Sequence, residues 1–498
     1  MNTGAIKLSH FSVKEYLMST CVEEYFSIDE KTSHSKISEI SIAYLLQFDD
    51  DSVPLTWAIF DSMPLAWYAA EHWIDHAKSG GMVSTTVQLI MQLFISESAP
   101  LINWVQMHNI DGGGHDPEDL SLNRSKVCCA LYYSSLAGMQ EVSGCLLHKG
   151  ENANAKGGRL GNPLQAALVR GNEAIVKLLL ENGALVNAEG GEYGNALQAA
   201  SLMSNEAIVK LLLENGAEVN AEGGPYYGNA LQAASKTGNE VIVKLLLENG
   251  AKVNAEGGYY GNALQAASYT GNETIVKLLL ENGALVNAEG GKYGNALQAA
   301  SYRGNEGIVK LLLENGALVN AVGGPYRNAL QAASYRGNEA IVRLLLENGV
   351  DVNAGGGQYG NPLQAAAYEG NEGIVKLLLE NGVEVNAEGG DYGTALLAAS
   401  LAYRGNEGIV KLLLENGALV NAKGGLYGNA LQAASYRGNE AIVKLLLEYG
   451  ALVNAEGGPY RNALEAALYG SNEENVKLLL ENGAEVNAER GEYSVVPA

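Results

Sequence analysis

A 33-residue unit recurs through the last two-thirds of this 498-residue chain. Its marker is the leucine of an Asn-Ala-Leu-Gln-Ala-Ala phrase, which stands at Leu164, Leu197, Leu231, Leu264, Leu297, Leu330, Leu363, Leu396, Leu431 and Leu464. A fixed period of this length predicts an array of stacked units, because one such unit cannot bury its apolar face alone. The sequence therefore predicts a solenoid, an architecture that mostly binds other macromolecules.

Residues 254–283 illustrate how one unit folds. The first eight residues are polar and glycine-rich, which suits a tight hairpin with positive φ angles. Asn262 can cap a short helix of small residues through its side-chain oxygen. A second helix with a broad apolar face follows, and Gly283 ends it in the left-handed conformation. We therefore expect a hairpin, a short helix and a longer helix in each unit.

This unit resembles the ankyrin repeat. The second helix and turn of that family are closely matched by Lys-Leu-Leu-Leu-Glu-Asn-Gly-Ala at residues 277–284 and Val-Asn-Ala at 286–288. The family's Thr-Pro-Leu-His appears here as Asn-Ala-Leu-Gln, with threonine only at Thr394 and proline only at Pro163 and Pro362. The resemblance implies an all-α fold, an ankyrin-repeat solenoid of about eleven repeats, that binds partners through its concave face and hairpin tips.

The composition changes near residue 148, because every Phe, Trp, Cys and His lies at or before His148. Apolar residues at helical spacing before that point predict a small helical N-terminal domain. The predicted divisions are a helical or winged-helix-like segment (1–58), a helical linker region (59–110), a glycine-rich acidic linker (111–125), the repeat array (126–493) and a tail (494–498).

A second resemblance lies before the repeats. Residues 8–17, Leu-Ser-His-Phe-Ser-Val-Lys-Glu-Tyr-Leu, are similar to the segment that follows the nucleotide-binding module of fungal NACHT-ankyrin proteins, and residues 64–73 resemble their linker helices. That resemblance implies an intracellular receptor that senses a ligand with its repeats and signals through other domains. The sequence contains no Gly-x-x-x-x-Gly-Lys-[Ser/Thr] phosphate loop. The chain thus resembles the C-terminal part of such a receptor, either independent or truncated.

The formal net charge of −24 restricts the class of partner. An acidic surface repels phosphate backbones and anionic lipids, so we expect neither a nucleic-acid nor a membrane partner. The four cysteines form no spaced framework, and Cys128 and Cys129 are adjacent, which favours a reducing compartment. The first residues lack the charged and apolar segments of a signal peptide, so we expect a cytoplasmic protein.

The repeats offer little for catalysis, since they contain neither His nor Cys after His148. His72 and His76 have helical ligand spacing with Glu71 and Asp75 beside them, but the residue after His72 is tryptophan, and a structural role is the better interpretation. We therefore predict no catalytic, cofactor-binding or metal-binding residues, and no enzyme. An unrecognised enzyme within residues 1–125 is a weaker hypothesis, because no nucleophile and base pair is visible there.

Two rows of tyrosine follow the repeats. The hairpin row is Tyr193, Tyr227, Tyr260, Tyr293, Tyr326, Tyr359, Tyr392, Tyr427, Tyr460 and Tyr493. Its regularity predicts rings that stack along the array. A second row ends the short helices, at Tyr269, Tyr302, Tyr335, Tyr368, Tyr403, Tyr436 and Tyr469.

The second row varies between repeats, and arginines follow several of its tyrosines. Tyrosine and arginine are the residues most enriched at binding hot spots. The predicted partner-binding residues are Tyr269, Tyr302, Arg303, Tyr335, Arg336, Tyr368, Tyr403, Arg404, Tyr436 and Arg437. The alternative for this row is a merely solvated face. We therefore interpret the chain as a scaffold or sensor that binds a protein partner.

Overall fold

The structure of the protein is a computed structural model that describes residues 29–49, 55, 63–95, 98–112, 127–224, 227–402 and 406–486. The chain divides into two compact units, Met1–Pro225 and Tyr226–Ala498, and each is described by itself. Residues 8–17, which carry part of the second resemblance, lie outside the described residues, as do most of the predicted linker 111–125 and the tail 494–498. The predicted domain divisions stay predictions.

The first unit begins with helices that precede the repeats. They are α1 (Glu30–Leu45), α2 (Ala66–Gly80), α3 (Ser84–Leu93) and α4 (Ala99–Met107). A buried aromatic cluster joins them, with the rings of Trp73 and Phe94 each 5.5 Å from the ring of Trp104. Tyr133 of the first repeat lies 5.9 Å from Trp104, and the Trp104 indole donates to the Ala70 carbonyl at 3.0 Å. The aromatic residues that distinguish the N-terminal segment thus form its core and attach it to the first repeat.

Paired helices follow in both units. In the first unit they are α5 (Ala130–Ala137), α6 (Gln140–His148), α7 (Pro163–Val169), α8 (Glu173–Glu181), α9 (Ala196–Leu202) and α10 (Glu206–Glu214). In the second unit they are α11 (Ala230–Thr237), α12 (Glu240–Glu248), α13 (Ala263–Thr270), α14 (Glu273–Glu281), α15 (Ala296–Arg303), α16 (Glu306–Glu314), α17 (Ala329–Arg336), α18 (Glu339–Glu347), α19 (Pro362–Glu369), α20 (Glu372–Glu380), α21 (Ala395–Leu401), α22 (Glu407–Glu415), α23 (Ala430–Arg437), α24 (Glu440–Glu448), α25 (Ala463–Tyr469) and α26 (Glu473–Glu481). This helical repeat architecture confirms the predicted fold class.

Hairpins precede the first helix of each pair. Most are closed by turns or single bridges, such as the one between Gly257 and Gly261. One hairpin forms a short antiparallel ladder of β1 (Lys423–Gly424) and β2 (Gly428–Asn429). The glycine that follows the hairpin tyrosine has a positive φ, 94° at Gly261, which explains why this position favours glycine.

Capping and burial in one unit follow the sequence pattern. Asn262, at φ −151°, accepts a hydrogen bond from the Gln265 amide at 2.9 Å and caps α13. Gly271 ends that helix in the left-handed region at φ 87°. Ile275 and Leu279 of α14 are fully buried. The second helix therefore supplies apolar burial, whereas the first supplies small residues that allow close packing of neighbouring repeats.

A ladder of buried glutamines connects each repeat to the hairpin of the next. The Gln265 side chain donates to the carbonyls of Ala288 at 3.0 Å and Gly294 at 3.3 Å. Its counterparts are Gln165, Gln198, Gln232, Gln298, Gln331, Gln364 and Gln432. Each amide adds a side-chain donor to carbonyls of the next hairpin, and some of these, such as that of Gly294, also accept from a backbone amide.

A second ladder, of exposed asparagines, lies in the turns after the second helices. The Asn287 side chain donates to the Gly316 carbonyl at 3.0 Å and accepts from the Leu318 amide at 2.8 Å. The same pair of bonds is made by Asn154, Asn187, Asn254, Asn320, Asn386, Asn421 and Asn454. Neighbouring repeats are thus joined by polar bonds on two sides of their apolar core.

The glutamine ladder is interrupted once between Gln364 and Gln432. Leu397 occupies the ladder position and is fully buried in a cluster with Leu401 and Ala433. Three tyrosines pack against that cluster: Tyr368, Tyr392 and Tyr427. The same repeat contains the longest interval between marker leucines, from Leu396 to Leu431. At this joint apolar packing replaces the polar bonds found elsewhere.

Candidate interaction surface

The hairpin tyrosines of the second unit lie against the ends of the first helices. Tyr293 is 5% exposed, and Tyr260, Tyr326 and Tyr359 are half-buried. Burial raises the pKa of Tyr260 to about 12, with neighbouring tyrosines adding to the shift. Burial likewise raises the pKa of Tyr293. These phenols are therefore neutral near pH 7 and present hydroxyl groups rather than charge.

The two tyrosine rows form one column of rings. The Tyr293 ring lies 4.7 Å from Tyr269 of the preceding repeat and 5.3 Å from Tyr302 of its own repeat. Tyr302 in turn lies 4.9 Å from Tyr326, which lies 5.3 Å from Tyr335. Because aromatic rings at 4.5–7 Å attract one another, both rows contribute to packing. The sequence pattern predicts two separate rows, one for structure and one for binding, but the rings of both rows pack together.

The column continues on both sides of the ladder interruption. Tyr368 stacks on Tyr392 at 4.2 Å, and Tyr436 stacks on Tyr460 at 5.0 Å. Tyr469 of the last described repeat is 65% exposed. Two predicted partner-binding residues, Tyr403 and Arg404, lie outside the described residues.

Arginines of this surface lie over tyrosine rings. The Arg303 guanidinium carbon is 4.8 Å from the centroid of the Tyr269 ring, and Arg336 is 4.9 Å from Tyr302. Both arginines are exposed, although their tyrosine partners are half-buried. Each arginine reaches back to the tyrosine of the preceding repeat. The stacked partners hold the guanidinium planes against the surface and leave their outer faces to solvent.

Arg437 also lies near a tyrosine ring. Its guanidinium carbon is 5.9 Å from the centroid of Tyr436, the residue before it. The structure therefore brings Tyr269, Tyr302, Tyr335, Arg303 and Arg336 together as one continuous surface, which we call the Tyr-Arg stripe. The predicted residues Tyr368 and Tyr436 lie farther along the same column of rings.

Comparison with known families decides the identity of the array. The family described as "Ankyrin repeats (3 copies)" matches residues 131–223, 184–257, 222–290, 297–389, 355–424 and 395–490. These matches cover well over half of the chain. The chain belongs to the ankyrin-repeat family.

Two known proteins illustrate the range of similarity to this ankyrin protein. The azaphilone pigments biosynthesis cluster protein L of Monascus ruber is 32% identical over 185 residues, which are 34% of this chain and 39% of that protein. The chain therefore matches less than half the length of this curated relative. The crystal structure of the human ASB11 ankyrin repeat domain is 30% identical, covering 43% of this chain and 96% of that chain at a TM-score of 0.39.

His72 and His76 of this ankyrin protein contact different side chains. The Nδ1 of His76 lies 2.6 Å from the Nδ1 of His34, and its Nε2 lies 2.8 Å from the Tyr68 hydroxyl. His72 instead lies 3.8 Å from the Glu71 carboxylate. Burial lowers the pKa of His76, and the neighbouring His34 adds to that effect. Two imidazoles in contact cannot both be protonated without repulsion, so this contact favours neutral His76.

No cluster of three or more His, Cys, Asp or Glu with metal-binding geometry occurs among the residues that the ankyrin structure describes. Over the same residues, every helix is too short or too polar to cross a bilayer.

Proposed function

We propose that this ankyrin protein is a non-enzymatic scaffold or sensor that captures a protein partner on the Tyr-Arg stripe. The observation that carries this proposal is the stacking of exposed Arg303 and Arg336 on the rings of Tyr269 and Tyr302. Prearranged side chains lose little rotamer entropy on binding, which favours affinity. Rigid aromatic rings flanked by guanidinium groups have the chemistry typical of hot spots.

The arrangement of each repeat supports this assignment. The first helices and hairpins expose the stripe, whereas the second helices expose regular ion pairs such as Lys277 with Glu273 at 2.6 Å. Exposed pairs of this kind contribute little free energy and are typical of a solvated face. Recognition is therefore assigned to the stripe and hairpin tips, and solubility to the outer helices. A cytoplasmic location and the absence of a cofactor belong to the same proposal.

The test is capture of a partner from extracts of the source cells by the full chain and by matched variants. The interface variant combines Arg303→Ala and Arg336→Ala, which removes exposed charge while leaving the half-buried tyrosines in place. The control combines Lys310→Ala and Arg343→Ala on the outer helices of the same two repeats. We expect the interface variant to lose the captured protein and the control to retain it, with unchanged helical circular dichroism in both.

Adding Tyr302→Ala and Tyr335→Ala to the interface variant extends the test to the rings. These tyrosines also pack in the column, so their variants require a thermal unfolding measurement beside the capture assay. Partner capture that is equal for the wild type, the double variant and a folded quadruple variant would remove the stripe as the binding surface.

A second candidate function is the ligand-sensing arm of a NACHT-type signalling receptor. The resemblance of residues 8–17 and 64–73 to such proteins motivates it. The discriminating observation is the native polypeptide detected with an antibody against the repeats. A band near 52.5 kDa favours the stand-alone scaffold, whereas a much larger band with a nucleotide-binding module favours the receptor.

A further inference from the structure

We propose that the Tyr-Arg stripe binds an acidic segment of its protein partner, through a cationic patch formed by Lys292, Arg303, Arg327 and Arg336. This inference rests on the proposed function and adds the chemistry of the partner to it. All four residues are exposed. They are grouped on neighbouring repeats of a chain whose formal net charge is −24. A local reversal of sign in such a chain favours ligands of the opposite sign to the whole molecule.

Part of the patch, Arg327, lies in a hairpin that has lost its acidic residue. The glutamate of the Asn-Ala-Glu-Gly-Gly phrase recurs at Glu189, Glu222, Glu256, Glu289, Glu388 and Glu456. Val322 and Gly355 replace it in two consecutive hairpins. Asp and Glu are absent from four segments of this region, which are hairpins 320–328 and 353–361 and helices α15 and α17. The loss of acid and the gain of two arginines, Arg327 and Arg336, thus coincide in the repeat that begins with hairpin 320–328.

Two nearly identical hairpins provide a comparison within the chain. Residues 320–328 and 454–462 differ only at Val322 and Glu456. In the second hairpin the Glu456 carboxylate lies 3.4 Å from Arg461 and pairs with it. In the first, Val322 is 50% exposed, and no carboxylate pairs with Arg327 within the described residues. Arg327 therefore has charge available for an external carboxylate, whereas Arg461 already has an internal partner.

The backbone of Arg327 is held in a conformation that suits glycine. Its φ is 64°, and the equivalent residues Gly261, Gly294 and Gly360 also have positive φ. A residue with a side chain is disfavoured in that region by roughly 1–2 kcal/mol. The Arg327 side chain extends over the next hairpin, where a Cβ added to Gly356 would lie 2.7 Å from its Nε. Arg461 has the same conformation at φ 62°, so both hairpins hold their arginine in one geometry and differ only in the acidic partner.

The ends of the patch limit its length. The helix before it ends in Thr270 rather than arginine, and the helix after it ends in Glu369. The stacked rings of Tyr269 and Tyr302, 6.5 Å apart, run between these ends. An extended acidic segment with apolar or aromatic residues matches this surface, because its carboxylates face the guanidinium groups and its other side chains face the rings.

The test selects ligands without assuming a partner. A displayed random dodecapeptide library is selected against the full chain, and an enriched peptide is synthesised for titration. We expect enrichment of Asp and Glu and affinity that falls as salt screens the charges. Val322→Glu installs the carboxylate that pairs with arginine in the second hairpin, and we expect about five- to tenfold weaker binding. Glu456→Val is the matched control at the other hairpin and leaves the affinity unchanged.

Other outcomes separate this inference from the proposed function. Neutral or basic peptides that lose binding in the Arg303→Ala and Arg336→Ala variant would overturn the acidic segment but keep the stripe as an interface. Peptides unaffected by that variant, or no enriched peptide at all, would overturn both. A single-stranded oligonucleotide that competes with the peptide and binds more tightly would assign the patch to nucleic acid instead, because arginine and tyrosine also stack on bases.

Discussion

Arg303 lies over the ring of Tyr269 in the preceding repeat, with its guanidinium carbon 4.8 Å from the ring centroid. This contact couples two neighbouring repeats on the Tyr-Arg stripe. We predict that Arg303→Ala lowers the free energy of unfolding by about 0.5–1 kcal/mol, the usual range for an exposed cation–π pair. Chemical denaturation of the full chain measures this loss.

Arg170 provides the control for that prediction, because it occupies the equivalent position in a repeat whose predecessor has Leu136 in place of tyrosine. We expect Arg170→Ala to change stability less than Arg303→Ala. Equal losses would mean that arginine stabilises this position through its own helix rather than through the ring.

Gln298 joins its repeat to the next hairpin by donating to the carbonyls of Ala321 at 3.1 Å and Arg327 at 3.0 Å. Gln298→Leu keeps most of the side-chain volume but leaves the Ala321 carbonyl without its donor, whereas the Arg327 carbonyl still accepts from the Gly323 amide. We predict a loss of about 1–3 kcal/mol, the cost of buried polar groups left unsatisfied. Glu465→Leu, at the same position in the last described repeat, is the control. A comparable loss in both variants would contradict a role for the ladder bonds.

The positive φ of 64° at Arg327 leads to a prediction on stability. Loss of this arginine is expected to weaken binding of an acidic ligand, but replacement by glycine is expected to favour the folded state. Arg327→Gly and Arg327→Ala both remove the cationic side chain, but only glycine relieves the backbone. We predict that the glycine variant is more stable than the alanine variant by about 1 kcal/mol. Denaturant midpoints of the two proteins test it. Equal midpoints would show that the hairpin adopts this conformation without strain.

Alkaline pH acts on the tyrosine column. Burial raises the pKa of Tyr260 from 10.0 in the unfolded chain to about 12 in the fold. The folded state therefore holds this proton more tightly, and the resulting stability is present below pH 10 and lost as pH rises towards 12. We predict phenolate absorbance that appears late in a pH titration, together with alkaline unfolding. Tyr260→Phe should weaken the pH dependence of stability over that window, and an unchanged profile would exclude Tyr260 as a source.

Acid acts on the N-terminal helices instead. His76 has a pKa below its ordinary value of 6.5, first because it is buried and second because His34 lies beside it. Its contribution to stability is present above pH 6.5 and lost as pH falls through the lowered folded value. We predict acid destabilisation that His76→Phe reduces, followed by tryptophan fluorescence, since the cluster of Trp73 and Trp104 lies in the same helices. The half-buried His72→Gln variant should change the profile less, because His72 lowers the pKa of His76 less than burial and His34 do.

Much of the array was predictable because its signals are local. Asn262 caps α13, Gly271 ends it, and the buried face of α14 follows its apolar spacing. Each helix is therefore specified by residues of its own repeat. The 33-residue period of the sequence then predicts that each repeat stacks on the next. Those features depend on neighbours in sequence or on strict repetition, and both can be read from one chain.

Other features depend on distances that periodicity does not give. The merging of the two tyrosine rows requires the hairpin of Tyr293 to fold against the last turn of α13, which contains Tyr269. The contact of His34 with His76 joins two helices whose packing no repeat specifies. The partner-binding residues stay predictions. The structure adds Lys292 and Arg327 as candidates. A comparison of the hairpin sequences, in which Val322 replaces the glutamate found at Glu456, would have suggested them.

The hydrogen bonds between repeats use the same side chains at nearly every junction. Most repeats can therefore pack against any neighbour of the same type. Recombination within the gene can insert or delete a whole unit and leave each new junction with its glutamine and asparagine donors in place. Leu397 lacks that compatibility, because its apolar cluster with Leu401 suits one particular neighbour. The number of repeats can therefore change where the junctions are alike. We expect the repeat that contains Leu397 to be duplicated or deleted only together with the repeat that follows it.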